Sequence, residues 1–404
     1  VRTVPENPDS IDLVLVTQDL FPVGFNAEIG SSNTGNVSIW NRNVFGYGLQ
    51  PVLTLYWAGD HKPFIGFGFS LGTSNLARSF AEARLEYINR WNQNSILLDV
   101  SRDFKSTSFL YAGGAFIEHT SMLKDIDLLD TVLTGVNLVY NNLELWAGRM
   151  IRLKNHTAQM SRGFYFTGRV NHYEKIEGPE TDENYLHPYQ DRALYIGSFG
   201  LSVRGYRKDN MIYTFGRTED VPFGQKLELS AGLERGHYDI RYYLSGSASV
   251  GRYFSRTGYF YAFAQYSTYL NHGEPEQGAL RFRIQYYTPL YHYNRYQYRH
   301  FIVLNYLNGV NRFEGEFVTL QNNDGIHGLR SSALRGIDKL SLNYESVLFS
   351  PLKLLGFRFA FYGLIDLGLV SPDHELFRQP RFYSGLGAGV RIRNEQLVFN
   401  TLEI

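Results

Sequence analysis

The chain contains no cysteine among its 404 residues, which excludes disulfide scaffolds and thiolate metal sites. Its 39 basic and 39 acidic residues balance, so it lacks the basic excess that neutralises phosphates, and we expect no nucleic-acid partner. No apolar run approaches the roughly 18 residues of a membrane-spanning helix. If the chain crosses a membrane, it must therefore cross as strands.

Signals for chemistry are also missing. The 11 histidines lack ligand spacing, and no phosphate loop or dinucleotide fingerprint occurs. Ser70 between Gly68 and Gly72 has the spacing of a nucleophile elbow, but it lies in an alternating apolar segment and not at a strand-to-helix turn. The sequence therefore predicts no enzyme, no catalytic residue, no cofactor and no metal.

What the sequence does contain is a two-residue period. Leu227 and Leu229 alternate with Lys226, Glu228 and Ser230, as in a strand with one apolar and one polar face. We expect the apolar face to meet lipid through Leu227, Leu229, Phe357, Phe359, Phe361, Val390 and Ile392. We expect the opposite face to line a lumen through Glu228, Arg281, Arg283, Glu345, Arg358, Asp366, Arg391 and Arg393.

The same period divides the chain into strands. It predicts strands at residues 20–30, 36–44, 49–58, 64–73, 79–90, 94–102, 108–118, 140–152, 162–171, 193–206, 226–236, 240–253, 258–270, 279–290, 297–309, 338–349, 357–368, 383–394 and 397–404. The strands of a soluble β-sandwich or propeller also alternate between apolar and polar residues. Segments of about 10 residues with tyrosines near their ends favour a closed antiparallel transmembrane barrel, and no propeller repeat is visible.

The connections differ in length. Short turns at residues 46–48 and 255–258 are typical of the periplasmic side of a barrel, whereas the polar segments 176–192 and 371–381 are typical of external loops. The longest insert without a predicted strand is 311–336.

Five segments together resemble a known family. They are the turn formed by Asn43, Phe45, Gly46 and Gly48; the mid-barrel turn with Arg217, Glu219, Asp220, Pro222 and Gly224; the loop motif Gly325, Ile326, His327, Gly328, Leu329 and Arg330 with Arg335 and Gly336; the strand acids Glu345 and Asp366; and the closing strands over 383–400. In this order they resemble the BamA/TamA-type outer-membrane assembly-factor superfamily, in the form found in Bacteroidota.

The resemblance implies a barrel of sixteen strands over residues 20–404, with several segments of 20–152 pairing outside the wall. Residues 1–19 resemble the end of a periplasmic POTRA module, whose last strand would include Ile11, Leu13 and Leu15. We expect a processed or trimmed chain, because it opens on Val1 without a signal peptide. Because Ile404 stands where the family has an aromatic residue, we also expect the C-terminal end to be incomplete.

The resemblance further implies that the insert 311–336 folds into the lumen, with its motif near Glu345 and Asp366. His327 replaces the family's arginine and Leu329 its aromatic residue. A mostly neutral histidine is a weak partner for a buried carboxylate, so we expect Arg330 or Arg335 to contact one of the two acids. The alternative is a mobile external loop.

The function implied is an integral outer-membrane barrel of a Gram-negative bacterium that inserts or translocates client proteins at a weak seam between its first and last strands. Its partners would be outer-membrane lipid, lipopolysaccharide, unfolded or secreted clients, and accessory lipoproteins. One alternative is a passive or substrate-specific pore, which needs only the wet lumen. A third is the membrane anchor of a longer chain that carries an N-terminal patatin-like hydrolase.

Overall fold

The computed structural model of the chain describes residues 2–4, 7–12, 22–30, 33–104, 109–128, 132–153, 160–182, 185–212, 218–313, 315–321, 324–329, 333–372, 376, 378–394 and 402–403. Over these ranges the chain forms strands, and the one helical element is the 3-10 turn His187–Tyr189. The described residues include no helix long and apolar enough to span a membrane. The predicted all-β antiparallel fold is confirmed.

The strands are β1 Arg2–Val4, β2 Asn7–Asp12, β3 Val23–Ile29, β4 Thr34–Asn41, β5 Leu49–Ala58, β6 Ile65–Leu76, β7 Ala81–Arg90, β8 Gln93–Arg102, β9 Tyr111–Asp127, β10 Val132–Arg152, β11 Met160–Glu177, β12 Arg192–Asn210, β13 Thr218–Gly236, β14 Ile240–Phe254, β15 Gly258–Asn271, β16 Glu274–Tyr287, β17 Tyr291–Tyr293, β18 Tyr296–Val310, β19 Val318–Thr319, β20 Arg335–Gly336, β21 Asp338–Leu354, β22 Phe357–Ser371, β23 Arg381–Asn394 and β24 Leu402–Glu403.

One large sheet forms the wall. It runs from β3 through β16, continues with β18 and β21 to β23, and its strand order returns on itself because β24 stands between β23 and β3. The short β17 pairs with β18 beside β16. Two small hairpins, β1 with β2 and β19 with β20, stay outside the wall. In this order each strand of the wall has a neighbour on both sides.

The expected sixteen strands are wrong, because the described wall has nineteen. The segments of 20–152 that were expected to pair elsewhere form β3 to β10 and all lie in the wall. The physical reason is that each carries its own alternating face and pairs along its length; β5, for example, pairs with β6 from Leu49↔Thr73 to Trp57↔Ile65.

Strand boundaries differ from the prediction where alternation breaks. We predicted the strand at 140–152, but β10 begins at Val132. Its register with β9 shifts between Leu133 and Val136, and Gly135 there has a φ of 65°. A bulge of this kind moves side chains to the opposite face, so the two-residue period is lost.

Antiparallel order sorts the connections onto two ends of the barrel. Residues 42–48 and 255–257 lie at one end, which we call the short-turn end. Residues 178–191, 311–337 and 372–380 lie at the other, which we call the long-loop end. The prediction that these turns and loops lie at opposite ends is therefore confirmed, and which end faces the periplasm stays a prediction.

Candidate functional site

The two faces of the wall differ in chemistry as predicted. Leu227 and Leu229 are 50% and 58% exposed on the outer face. Glu228 between them points to the inner face, where it accepts a hydrogen bond of 2.6 Å from the Tyr165 hydroxyl. Charge on the inner face and apolar groups on the outer face are what a wet lumen inside a lipid-facing wall requires.

His327 anchors the insert 311–336 to the inner face. Its backbone N–H donates to Asp366 Oδ2 at 2.8 Å, and its ring Nδ1 lies 2.9 Å from the same oxygen. The Asp366 side chain is 1% exposed, whereas the imidazole is 45% exposed. The insert thus supplies donors to a carboxylate that would otherwise be buried without them.

Asn343 on β21 joins the same carboxylate to the backbone of the insert. Its Nδ2 donates to Asp366 Oδ1 at 2.7 Å and to the Gly325 carbonyl at 2.6 Å. Ser341, on the same face of β21, donates to the Asp324 carbonyl at 2.8 Å. Sequence reasoning missed Ser341 and Asn343, and their signal is a pair of polar residues at alternate, inward positions of one strand.

The insert also makes an apolar contact with the wall. Leu320 is fully buried and Ile326 nearly so. A Cβ at Gly368 would lie 2.9 Å from Leu320 Cδ1, and a Cβ at Gly385 would lie 2.8 Å from Ile326 Cγ2. The two glycines, on β22 and β23, therefore leave the space that the insert fills.

Glu345 does not serve as the expected second acid for the insert. Arg391 on β23 binds it with two hydrogen bonds of 2.7 and 2.9 Å, between strands of the wall. A bidentate arginine already satisfies this carboxylate, so it needs no cation from the insert. The expectation that the motif lies near both acids is thus corrected to Asp366.

The remaining motif residues shape the insert. Arg335 pairs with Thr319 in the β19–β20 hairpin, and its guanidinium lies 5.1 Å from the centre of the Phe317 ring. The Leu329 N–H donates to the Ile326 carbonyl at 3.2 Å. Arg330, the other cation proposed for the acids, lies outside the described residues. The remaining glycines of the motif are Gly328, with a φ of 80°, and Gly336, which follows Arg335 in β20.

A second loop, 178–191, folds inward at the long-loop end. His187 Nε2 lies 2.8 Å from Arg241 NH2, and its ring centre is 5.5 Å from that of Phe313 in the insert. Arg241 also binds Glu234 at 2.5 Å and Glu276 at 3.2 Å. Burial and the Arg241 charge lower the pKa of His187 to about 3, so its ring is neutral and Nε2 accepts from Arg241.

The two predicted turn motifs have different outcomes. In the first, the Gly48 N–H donates to Asn43 Oδ1 at 2.7 Å, and φ is positive at Phe45, Gly46 and Gly48. The first motif is therefore a tight turn.

The second is corrected, because β13 begins at Thr218 and takes Glu219, Asp220, Pro222 and Gly224 into a strand. The antiparallel register with β12 continues without a break through these residues, for example at Lys208↔Asp220, although their composition is typical of a turn. Arg217 lies outside the described residues.

A polar cavity of about 590 Å³ opens on the inner face of β10 to β15. Its lining combines aromatic, hydroxyl and charged groups, among them Trp146, Tyr165, Arg169, Ser198, Lys226 and Glu228. The part of the chain that the structure describes holds no cluster of histidine and acidic residues able to bind a metal ion.

The seam lies between the last and first strands of the wall. Of β24 the structure describes Leu402 and Glu403, which pair with Ile392 and Arg391 of β23. Because neighbouring strands are antiparallel and nineteen strands form the described wall, β24 and β3 run in the same direction. Parallel pairing is slightly less stable per residue than antiparallel pairing.

A scan against protein-family models and a search of curated proteins each find no match. Among solved structures, the chain is similar to the crystal structure of BamA from Haemophilus ducreyi lacking POTRA domains 1-3. The match has a TM-score of 0.41 and 8% sequence identity, and it covers 95% of this chain and 68% of that one. This similarity is too low to assign a function.

Proposed function

We propose that the chain is the membrane-embedded barrel of a Gram-negative outer-membrane protein that inserts or translocates client polypeptides. The observation that carries the proposal is the strand direction at the seam, where β24 and β3 are neighbours that run in the same direction, whereas the other described pairs of the wall are antiparallel. Parallel pairing is slightly less stable per residue than antiparallel pairing, and a strand edge that opens in lipid can pair with a strand of another chain. The seam therefore offers a client a template for its first strand.

The outer face supports a location in lipid. Large apolar side chains such as Phe25, Leu55, Leu229 and Leu244 are exposed there. A lysine or arginine at the midplane of such a face costs about 2–4 kcal/mol, and the chain keeps Arg283 and Arg391 on the inner face. Lipid and lipopolysaccharide are the partners of this face in our proposal.

The docked insert supports the role of the seam. Asp366 lies on β22 and Gly385 on β23, so the insert contacts the strands next to β24. In our proposal these contacts hold the wall strands in place when the seam opens. The proposal assigns no covalent chemistry to the chain.

A substrate-specific pore is the second candidate, favoured by the polar cavity of about 590 Å³. Such a pore needs the lumen but not the seam. The two functions therefore differ in whether a client contacts the first wall strand, β3.

The test is site-specific photocrosslinking in liposomes with a urea-unfolded outer-membrane barrel protein as client. A benzophenone amino acid replaces Phe25 on β3 or, as the matched control, Phe199 on β12, which has paired strands on both sides. We expect client adducts at position 25 and none at position 199. Equal labelling at both positions, or none at 25 while the barrel conducts ions, would favour the pore.

A further inference from the structure

The β12–β13 hairpin leaves the wall at the short-turn end. β13 pairs with β12 from Thr218 onward, but its register with β14 begins only at Gly224↔Gly251. The described residues 206–212 and 218–223 therefore belong to a two-stranded arm that has no described ladder to β11 or β14. We call these residues the inner hairpin, because their contacts lie on the inner face.

The bend occurs at Gly224. Its φ is 134°, and a Cβ there would overlap the Val203 carbonyl oxygen, so no other residue fits. A Cβ at Gly205 would lie 2.5 Å from the Phe223 ring, and a Cβ at Gly251 would lie 2.8 Å from the Tyr259 hydroxyl. Missing side chains on three adjacent strands thus permit the hairpin to turn inward.

The inner hairpin packs against two apolar clusters on the inner face of the wall, which we call the seat. Ile212 and Val221 are buried against Tyr259 and Tyr287 of β15 and β16. Met211 packs on a second cluster, formed by Val347, Phe349 and Ala360 of β21 and β22. The hairpin therefore reaches across several strands of the inner face.

A buried ion pair fastens the hairpin to β18. Arg299 is 1% exposed and binds both carboxylate oxygens of Asp209 at 3.3 Å. It also donates to the Asn210 carbonyl at 3.0 Å, and its guanidinium lies 4.9 Å from the centre of the Tyr287 ring. A buried arginine without Asp209 would be an uncompensated charge, so the pair favours the inward position.

We propose that the inner hairpin is a gate that narrows the short-turn end of the lumen and swings about Gly224. The contacts described between hairpin and seat are side-chain packing, the Asp209–Arg299 pair, and single hydrogen bonds such as that from the Tyr259 hydroxyl to the Pro222 carbonyl at 2.8 Å. Outward movement of 206–212 and 218–223 breaks these contacts but no described pair between the hairpin and β11 or β14. The gate controls passage of ions and small hydrophilic solutes. It rests on the proposed function only for the placement of the barrel in a membrane.

The first test is the conductance of the full chain in planar bilayers of phospholipid with potassium chloride. Asp209→Asn removes the charge that holds Arg299 and should raise the open probability at least about tenfold, because a buried pair loses one partner. Asp324→Asn is the matched control, since its pair with Arg283 is largely exposed and lies on the insert. Equal conductance of the Asp209→Asn and Asp324→Asn proteins would overturn the gate.

The second test locks the gate. The double variant Met211→Cys, Ala360→Cys places one cysteine on the hairpin and one on the seat, and a cleavable thiol crosslinker can join them. The crosslink is specific because the chain has no cysteine of its own. Leu348→Cys with Phe361→Cys, opposite one another on β21 and β22, is the control. We expect crosslinking to suppress opening in the first protein alone and cleavage to restore it.

Unchanged conductance of the locked barrel would overturn the gate, whereas failure of the unmodified chain to enter the bilayer would overturn the proposed membrane function as well.

Discussion

His327 binds Asp366 through its backbone N–H at 2.8 Å as well as through its ring. The backbone bond does not depend on the side chain, so position 327 can carry a histidine where the resembling family carries an arginine. The wall completes the arrangement through Asn343, which donates to the other carboxylate oxygen at 2.7 Å. The insert is thus held by hydrogen bonds to a buried acid and needs no arginine at position 327.

Asp366→Ala should release the insert from the wall. The change leaves the N–H of His327 and the amide of Asn343 without their acceptor, at a cost of roughly 1–3 kcal/mol for each buried donor. We expect trypsin to cleave at Arg335 at least tenfold faster than in the unchanged protein, measured by mass spectrometry of the barrel in detergent. His327→Ala keeps the backbone bond and should give a smaller increase. Similar rates in all three proteins would show that Asp366 does not hold the insert.

Gly224→Ala should impair folding of the barrel, and Gly168→Ala should not. Alanine at 224 would need a backbone conformation that side chains rarely adopt and would overlap Val203, with a strain of at least about 1–3 kcal/mol. A Cβ at Gly168 on β11, two strands from β13, meets nothing within 4 Å. The measurement is the fraction of folded barrel on unheated gels after refolding. Equal fractions for the two variants would contradict the bend at Gly224.

Alternation predicted the segments of the wall because each strand carries its own two-residue period. The nineteen predicted segments correspond in order to β3–β16, β18 and β21–β24, whereas family resemblance suggested sixteen. The position of each strand along the chain is set by the alternation of its own side chains, so the sequence predicts where strands lie. Strand number is a property of the whole ring, and resemblance in turn motifs does not determine it.

The inward contacts were harder to predict. Asp366 was found as an acid on a wet face, but its partner Asn343 and the pairing of Glu345 with Arg391 depend on the register between strands. The inner hairpin was missed because Glu219 and Pro222 are typical of turns, whereas the structure has them in β13. Contacts between residues about 90 positions apart, such as Arg299 with Asp209, leave no local pattern.

Loop 178–191 should loosen in acid. Its His187 has a pKa of about 3 in the folded chain against 6.5 ordinarily, so the unfolded or undocked loop binds the extra proton first. Docking is therefore favoured above pH 6.5 and weakens as the pH falls from 6.5 towards 3. Hydrogen exchange of this loop, corrected for the intrinsic rate, should rise between pH 7.5 and pH 5. In His187→Gln, which can still accept from Arg241, the rise should disappear; an equal rise in both proteins would assign it to other groups.

Adjacent positions 228 and 229 test the orientation of the wall in a membrane. Glu228 points to the inner face near Tyr165, and Leu229 is 58% exposed on the outer face. Since the chain has no cysteine, Glu228→Cys and Leu229→Cys each report on one position. In liposomes a small water-soluble maleimide should label position 228 and leave position 229 unlabelled, because lipid excludes the reagent and keeps the thiol protonated. In the unfolded protein in urea both cysteines should react, which controls for intrinsic reactivity. Ready labelling of position 229 in liposomes, with position 228 protected, would reverse the two faces and rule out the lumen on which the proposed function depends.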